Sequence, residues 1–548
     1  MKIRRIAGLA ASVAVGALVL TACSSTPSDT ASSSSSSSGG KSTGIVTAWG
    51  SEPQNPLIPT NTNEVGGGKI EDLIFSGLVY YDAKGAAHNE AADSIKSTDA
   101  QNFTIKIKAG QKFTNGEAVT AKSFVDAWQF GALLSNAQLS SYFFEGIEGF
   151  SYDVDAPLTG LAVVDDTTFT VKLKQPESDF PVRLGYSAFY PLPAEALTGV
   201  AKFGENPIGN GPYKLAKEGA WQHNVGIDLV PNADYKGDRE PQNGGVSIKF
   251  YLSTEAAYND LLADNLDVLD SIPDSAFGTF QTELGDRAIN QPSAVFQSFT
   301  IPQKLAHFSG PEGNLRRQAI SLAIDRKTIT DKIFQKTRTP ASDFTSPVIA
   351  GWSDKVPGSD VLKYDEAKAK DLWKQADAIS PWSGKFTIAY NADGGHQAWV
   401  DAVTNGIKNT LGIEAEGASY PDFKSLRADI SKDAAGTRNI KGAFRSGWQA
   451  DYPSLFNFLG PLYNTGAGSN DGDYTNPKVD SLLKVGLAAG SVADANKQFE
   501  KVQEILFKDL PAVPLWYSNV TGGSSTLVKN VAFGWNSVPL LYQVTKKG

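Results

Sequence analysis

Residues 445–452 read Arg445-Ser446-Gly447-Trp448-Gln449-Ala450-Asp451-Tyr452, which gathers a cation, two aromatics and an acid beside a glycine within eight positions. Such a cluster suits the grip on a zwitterion. An aspartate held in a cleft pairs with a ligand ammonium, Trp448 and Tyr452 supply apolar walls, and Gly447 lets the main chain approach an extended ligand closely. The same residues also suit a structural Arg-Asp pair at the end of a strand. Taken alone, the octet leaves both readings open.

Outward from it, strand and helix signals alternate without a clean internal repeat. Phe103, Ile105 and Ile107 alternate with polar neighbours, as do Phe169, Val171 and Leu173, and the pattern returns at Val246-Ile248-Phe250 and Phe386-Ile388-Tyr390. Period-two alternation predicts strands with one wet face. Between them the spacing predicts helices over 121–134, with Thr120 as N-cap and Phe124 and Trp128 one turn apart, and over 315–334, 364–376, 397–411 and 493–508. Turn-forming clusters fall at 108–110, 206–212, 231–245 and 471–473, and none is long enough to be a flexible linker. The architecture expected is mixed α/β. A folded body of about 500 residues exceeds one ordinary core, so two or more closely connected lobes are expected.

The N-terminus carries a different message. Lys2, Arg4 and Arg5 precede an apolar run over 6–20, then the small pair Thr21-Ala22 and the only cysteine of the chain, Cys23. A basic, an apolar and a small-residue segment in that order read as an export signal, with the apolar run too short to span a bilayer stably. Cleavage before Cys23 frees its thiol for lipid attachment, which anchors the protein to the outer face of the cell membrane. Residues 24–41, with unbroken serine from 32 to 38, have nothing to bury and read as a leash. Order is expected from about Gly44, where Ile45-Val46-Thr47-Ala48-Trp49 is the first strand-like run.

Charge and motif content exclude several functions. The net charge is −9, and loss of Lys2, Arg4 and Arg5 with the signal takes it to −12, which argues against nucleic acid as a partner. One cysteine makes neither a disulfide nor a thiolate metal site. His88, His223, His307 and His396 are scattered without metal-ligand spacing, and nucleophile-elbow, phosphate-loop and dinucleotide glycine motifs are missing. Asp165-Asp166 reads as turn chemistry ahead of a strand. No reaction centre, metal or cofactor is expected, and the chain is not expected to be an enzyme.

Five stretches stand in register: Asp72-Leu73-Ile74-Phe75-Ser76-Gly77-Leu78-Val79 with the following 82–85 turn; the 103–108 strand with 112–121; Pro207-Ile208-Gly209-Asn210-Gly211-Pro212-Tyr213-Lys214-Leu215; 315–326; and Trp448-Gln449-Ala450-Asp451-Tyr452. Together they resemble the extracellular oligopeptide-binding proteins of ABC importers, the large peptide- and nickel-binding solute receptors. The resemblance runs from about Trp49 to Val544. It implies a two-lobed periplasmic-binding-protein-like (type II) fold with an extra small subdomain. The expected division is a signal peptide at 1–22, a linker at 23–43, a first lobe at 44–305 plus 510–548 with a subdomain inserted at 76–199, and a second lobe at 306–509.

By the same resemblance Asp451 receives a peptide's α-ammonium, while Arg445, Arg427 and His396 are the cations that take C-terminal carboxylates of different peptide lengths. Tyr420 and Tyr142 fall where cleft aromatics lie. Ser321 stands where some peptide binders carry a lysine of that cation set, so ligand length stays open. The function implied is capture of oligopeptides by a lipid-anchored monomer and delivery to a transmembrane permease. The alternatives are a receptor of the same fold for a nickel chelate, haem or oligosaccharide, and a surface peptidase.

Overall fold

A computed structural model describes residues 42–432 and 436–548. The expectations for the signal, for Cys23 and for the leash up to residue 41 lie outside the described residues.

One large mixed sheet runs through the body. Its main path orders the strands 415–420, 386–391, 443–449, 288–300, 512–524, 268–269, 45–50, 245–250, 226–231 and 213–215. The centre is an antiparallel pair of 13-residue strands, Ala288–Thr300 and Ala512–Ser524, with register shifts between Pro292 and Val295 and between Gln297 and Ser298. These two strands belong to two cores at once. Val513, Leu515, Trp516 and Tyr517 are buried with Phe296 and Phe299 in one hydrophobic cluster, whereas Val520 is buried in the other with Val46, Ile70 and Val246. Each apolar cluster thus closes over its own half of the sheet, and the main chain passes from one to the other near residues 292–295 and 518–520.

A separate four-stranded antiparallel sheet, ordered 92–96, 102–107, 168–172 and 161–165, buries Phe103, Ile105, Phe169 and Val171 in the same cluster as Val520. The predicted alternation is seen in Asn102–Ile107, where Phe103, Ile105 and Ile107 point inward. The helix Ala121–Ala132 covers it. Thr120 takes the extended N-cap conformation, and Trp128 is fully buried, meets Phe169 edge-on at 5.5 Å and donates from Nε1 to the Phe189 carbonyl at 2.9 Å.

Two sequence expectations change. The strand Phe386–Asn391 has no wet face, because it pairs in parallel with strands on both sides and lies against the helix Gln397–Leu411 and the helix Phe423–Ile430. A parallel strand covered on both faces reads as a continuous apolar run. The single helix expected over 315–334 is two, Gly310–Leu322 and Arg326–Lys332. Asp325 caps the second by accepting from the Thr328 amide at 3.0 Å, and buried Arg326 bonds the carbonyls of Ser321, Leu362 and Pro514 at 3.0, 2.6 and 2.8 Å. These bonds pin the break. Ser321 is fully buried, with its hydroxyl on the Val361 carbonyl at 2.8 Å.

Candidate functional site

The strand Ala443–Gln449 runs antiparallel to the end of 288–300, with Gly447 opposite Gln297 and Trp448 opposite Phe296. A Cβ on Gly447 would stand 3.0 Å from the Phe296 carbonyl, so glycine fits this tight spot. The chain then leaves the sheet and enters the helix Leu455–Tyr463, capped by Ser454, whose hydroxyl accepts from the Phe456 amide at 3.1 Å. Buried Asn457 on this helix organises the motif. Its Oδ1 accepts from the Asp451 amide at 2.9 Å and from Trp448 Nε1 at 3.3 Å, and its Nδ2 donates to Asp451 Oδ2 at 3.0 Å. No motif in the sequence marks it; the signal was its place six residues after the aspartate, on the first turn of a serine-capped helix.

Gly447, Trp448 and Asp451 line a cavity of about 640 Å³ between the two apolar clusters. The rest of its wall comes from the helix Val65–Ile74, the 185–190 segment and the 534–542 segment, and Tyr81, Tyr186, Trp535 and Phe423 give it aromatic surfaces. Asp451 is half-buried, and burial pushes its carboxyl up to about 6 against the stabilising bond from Asn457. Among the described residues it has no cationic partner, and Oδ1 accepts no hydrogen bond. The structural Arg-Asp pair that the octet allowed is not formed.

A second cavity of about 260 Å³ shares Phe423, Gly447 and Trp448 with the first and is lined by Arg445 and Arg427. Arg445 Nε donates to Asn391 Oδ1 at 2.7 Å, and its guanidinium lies 4.5 Å from the Phe423 ring centre. Arg427 pairs with Asp471 at 2.6 Å. The two cavities together place an acid at one end and two arginines at the other, with an aromatic wall between them. That geometry can hold an extended zwitterion.

The other sequence candidates lie elsewhere. Tyr452 is buried in the core under the Arg183 guanidinium, 5.4 Å from its ring, and lines neither cavity. His396 precedes the helix Gln397–Leu411 and accepts from Trp399 Nε1 at 3.1 Å, and Tyr420 donates to Asp429 Oδ2 at 2.8 Å; neither lines either of these two cavities. Tyr142 is exposed and stacks on Phe143, which stacks in turn on the cavity residue Tyr186 at 4.2 Å. Burial, and after it the charge of Asp451, pushes the Tyr142 hydroxyl up, so it lies within that carboxylate's field.

Comparison with known proteins adds an independent finding. Residues 87–470 match the family described as bacterial extracellular solute-binding proteins, family 5 Middle. The periplasmic oligopeptide-binding protein OppA of Haemophilus influenzae is 28% identical over 497 residues, covering 86% of this chain and 87% of its own. The periplasmic murein peptide-binding protein MppA of Escherichia coli is 26% identical over 466 residues, 82% of this chain and 83% of its own. The solved structure of Haemophilus influenzae OppA in complex with RPPGFSPFR superposes with a TM-score of 0.71 at 23% identity, covering 92% of this chain and 99% of that one. The likeness is in the fold, a two-lobed α/β body.

Proposed function

The chain belongs to the bacterial extracellular solute-binding proteins of family 5, and we propose that it captures oligopeptides in the cavity between its lobes and delivers them to the membrane permease of an ABC importer. Asp451 receives the α-ammonium, Arg445 the far carboxylate, and the main chain around Gly447 pairs with the peptide backbone as an added strand does. No bond of the ligand changes. The lobes are 44–305 plus 510–548, carrying the 76–199 subdomain, and 306–509; they close about the two long strands, and the closed form is the one the permease recognises. The anchor is a lipid on Cys23.

The observation that carries this reading is the Asp451 carboxylate, oriented by Asn457, on the wall of a 640 Å³ cavity without a cation of its own. A peptide ammonium supplies the missing charge. At a dissociation constant near 1 μM the total binding free energy is about −8 kcal/mol, and an unpaired buried charge costs roughly 3–5 kcal/mol, so the amino end is a dominant anchor. The OppA and MppA names of relatives spanning most of the chain support a peptide as the guest.

Calorimetry with a tetrapeptide and its N-acetylated form tests this. The free peptide is expected to bind and the blocked one to bind at least a hundredfold more weakly. Equal affinity of the two forms would remove the ammonium contact, and native mass spectrometry of gently purified protein carrying one defined non-peptide molecule would remove the peptide.

A further inference from the structure

Six acidic or basic side chains line the large cavity beside its tyrosines: Glu64, Lys69, Asp72, Asp82, Arg239 and Asp451. Four of them are already engaged. Lys69 is bound to Asp270 at 2.6 Å and to the Trp49 carbonyl at 3.0 Å, and Arg239 holds Glu90 through Nε and Nη2 at 2.7 and 2.9 Å. Both cations are thus neutralised by carboxylates that do not face the cavity. Glu64 caps its helix by accepting from the Gly67 amide at 2.8 Å. Asp82 holds its own turn, accepting from the Lys84 and Ala86 amides at 2.8 and 2.9 Å and lying 3.2 Å from His88.

Asp72 and Asp451 remain; burial pushes both carboxyls up, offset at Asp72 by the charge of Arg239, whose guanidinium bonds the Asp72 main-chain carbonyl, and at Asp451 by Asn457. Each is half-buried and has one oxygen held by a neutral donor, Tyr190 at 2.8 Å for Asp72 and Asn457 at 3.0 Å for Asp451. Each has a second oxygen with no hydrogen-bond partner among the described residues, and neither forms an ion pair. They come from different parts of the wall, Asp72 from the helix Val65–Ile74 and Asp451 from the segment after the strand Ala443–Gln449. Besides burial, the charges of both push up the ionisation of Tyr81 and Tyr186, so the two carboxylates share one electrostatic neighbourhood.

A single ammonium leaves one of these carboxylates unpaired in a closed cleft, which is costly. Resting on the peptide reading above, we infer that the preferred ligand carries a second cation near its amino end, a lysine or arginine among its first two residues, and that Asp72 receives it. The aromatic faces of Tyr81 and Trp535, in edge contact at 5.5 Å on the same wall, suit the aliphatic stem of such a side chain.

The test is calorimetry on the intact protein with Lys-Ala-Ala-Ala and Ala-Lys-Ala-Ala, each against the peptide with norleucine in place of lysine. At least one lysyl peptide is expected to bind tenfold or more tightly than its norleucine counterpart. Acetylation of that lysine side chain should abolish the gain. Asp72→Asn, which keeps an acceptor for Tyr190, should erase the gain, so that lysyl and norleucyl peptides bind alike and the norleucyl peptide binds no more weakly than to the unsubstituted protein. Equal binding of lysyl and norleucyl peptides would overturn the inference and leave peptide capture standing, and so would a lysine gain that persists in Asp72→Asn. Failure of all four peptides to bind would remove both.

Discussion

Burial raises the carboxyls of two aspartates, Asp343 and Asp451, in opposite surroundings. Each is pushed up to about 6. Asp343 is fully enclosed beside the second core and accepts from the Thr345 amide and hydroxyl at 2.7 and 2.8 Å, from Tyr517 at 2.9 Å and from Gln503 at 3.2 Å. Its lone pairs are spent on the fold. Asp451 has one side-chain donor, Asn457, and an oxygen open to a cavity. A raised carboxyl therefore does not by itself mark a site; the difference lies in what is left for a guest to bind.

The largest effect that tests this contrast is on stability. Asp343→Ala leaves several buried donors without an acceptor and is expected to cost about 3–5 kcal/mol, read as a drop in the denaturant midpoint, with peptide affinity unchanged in whatever remains folded. A loss under about 0.5 kcal/mol, within the range of ordinary surface substitutions, would mean the two aspartates differ less than their partners suggest. Next comes Asp451→Asn. It should weaken tetrapeptide binding a hundredfold or more, which is about 2.7 kcal/mol, while the melting temperature at pH 8 stays level or rises because a buried charge has been removed. Unchanged affinity in calorimetry would take Asp451 out of the ligand site.

The smallest effect is the pH dependence. A carboxyl whose folded value is raised contributes stability that is complete below its ordinary value of 3.8 and is lost as pH rises through about 6. Both aspartates therefore favour the empty fold on the acid side. Binding of an ammonium requires both ionised Asp451 and a protonated peptide amine, so affinity should be greatest near pH 7, fall about tenfold per unit below 6, and fall again above about 8 as the α-ammonium loses its proton. Asp343→Asn should keep the acid-side slope and Asp451→Asn should abolish it; an acid-side slope surviving the second substitution would assign it to another group.

Much of the fold was legible because local rules and tertiary context agree. The 397–411 helix matches the expected bounds, and Thr120 stands where its capping preference puts it. The errors arose where burial overrides pattern. Phe386–Asn391 is covered on both faces, and the helix expected over 315–334 breaks because Arg326 turns inward to three carbonyls. The octet 445–452 pointed to the site: of its expected binders Arg445, Gly447, Trp448 and Asp451 line a cavity, whereas Tyr452 lies past the turn in the core. Asn457, Asp72 and the 534–542 segment were illegible because their roles depend on distant walls that meet only in the folded chain.

Asn457 ties a tryptophan, a main-chain amide and a carboxylate into one unit carried by a single helix. If peptides are captured as proposed, this preassembled unit would moor an amino end without rearranging. Asp72 stands across the cavity on the helix Val65–Ile74, and the proposed closing of the lobes would bring it to the guest second, which would separate the speed of capture from the choice of cargo.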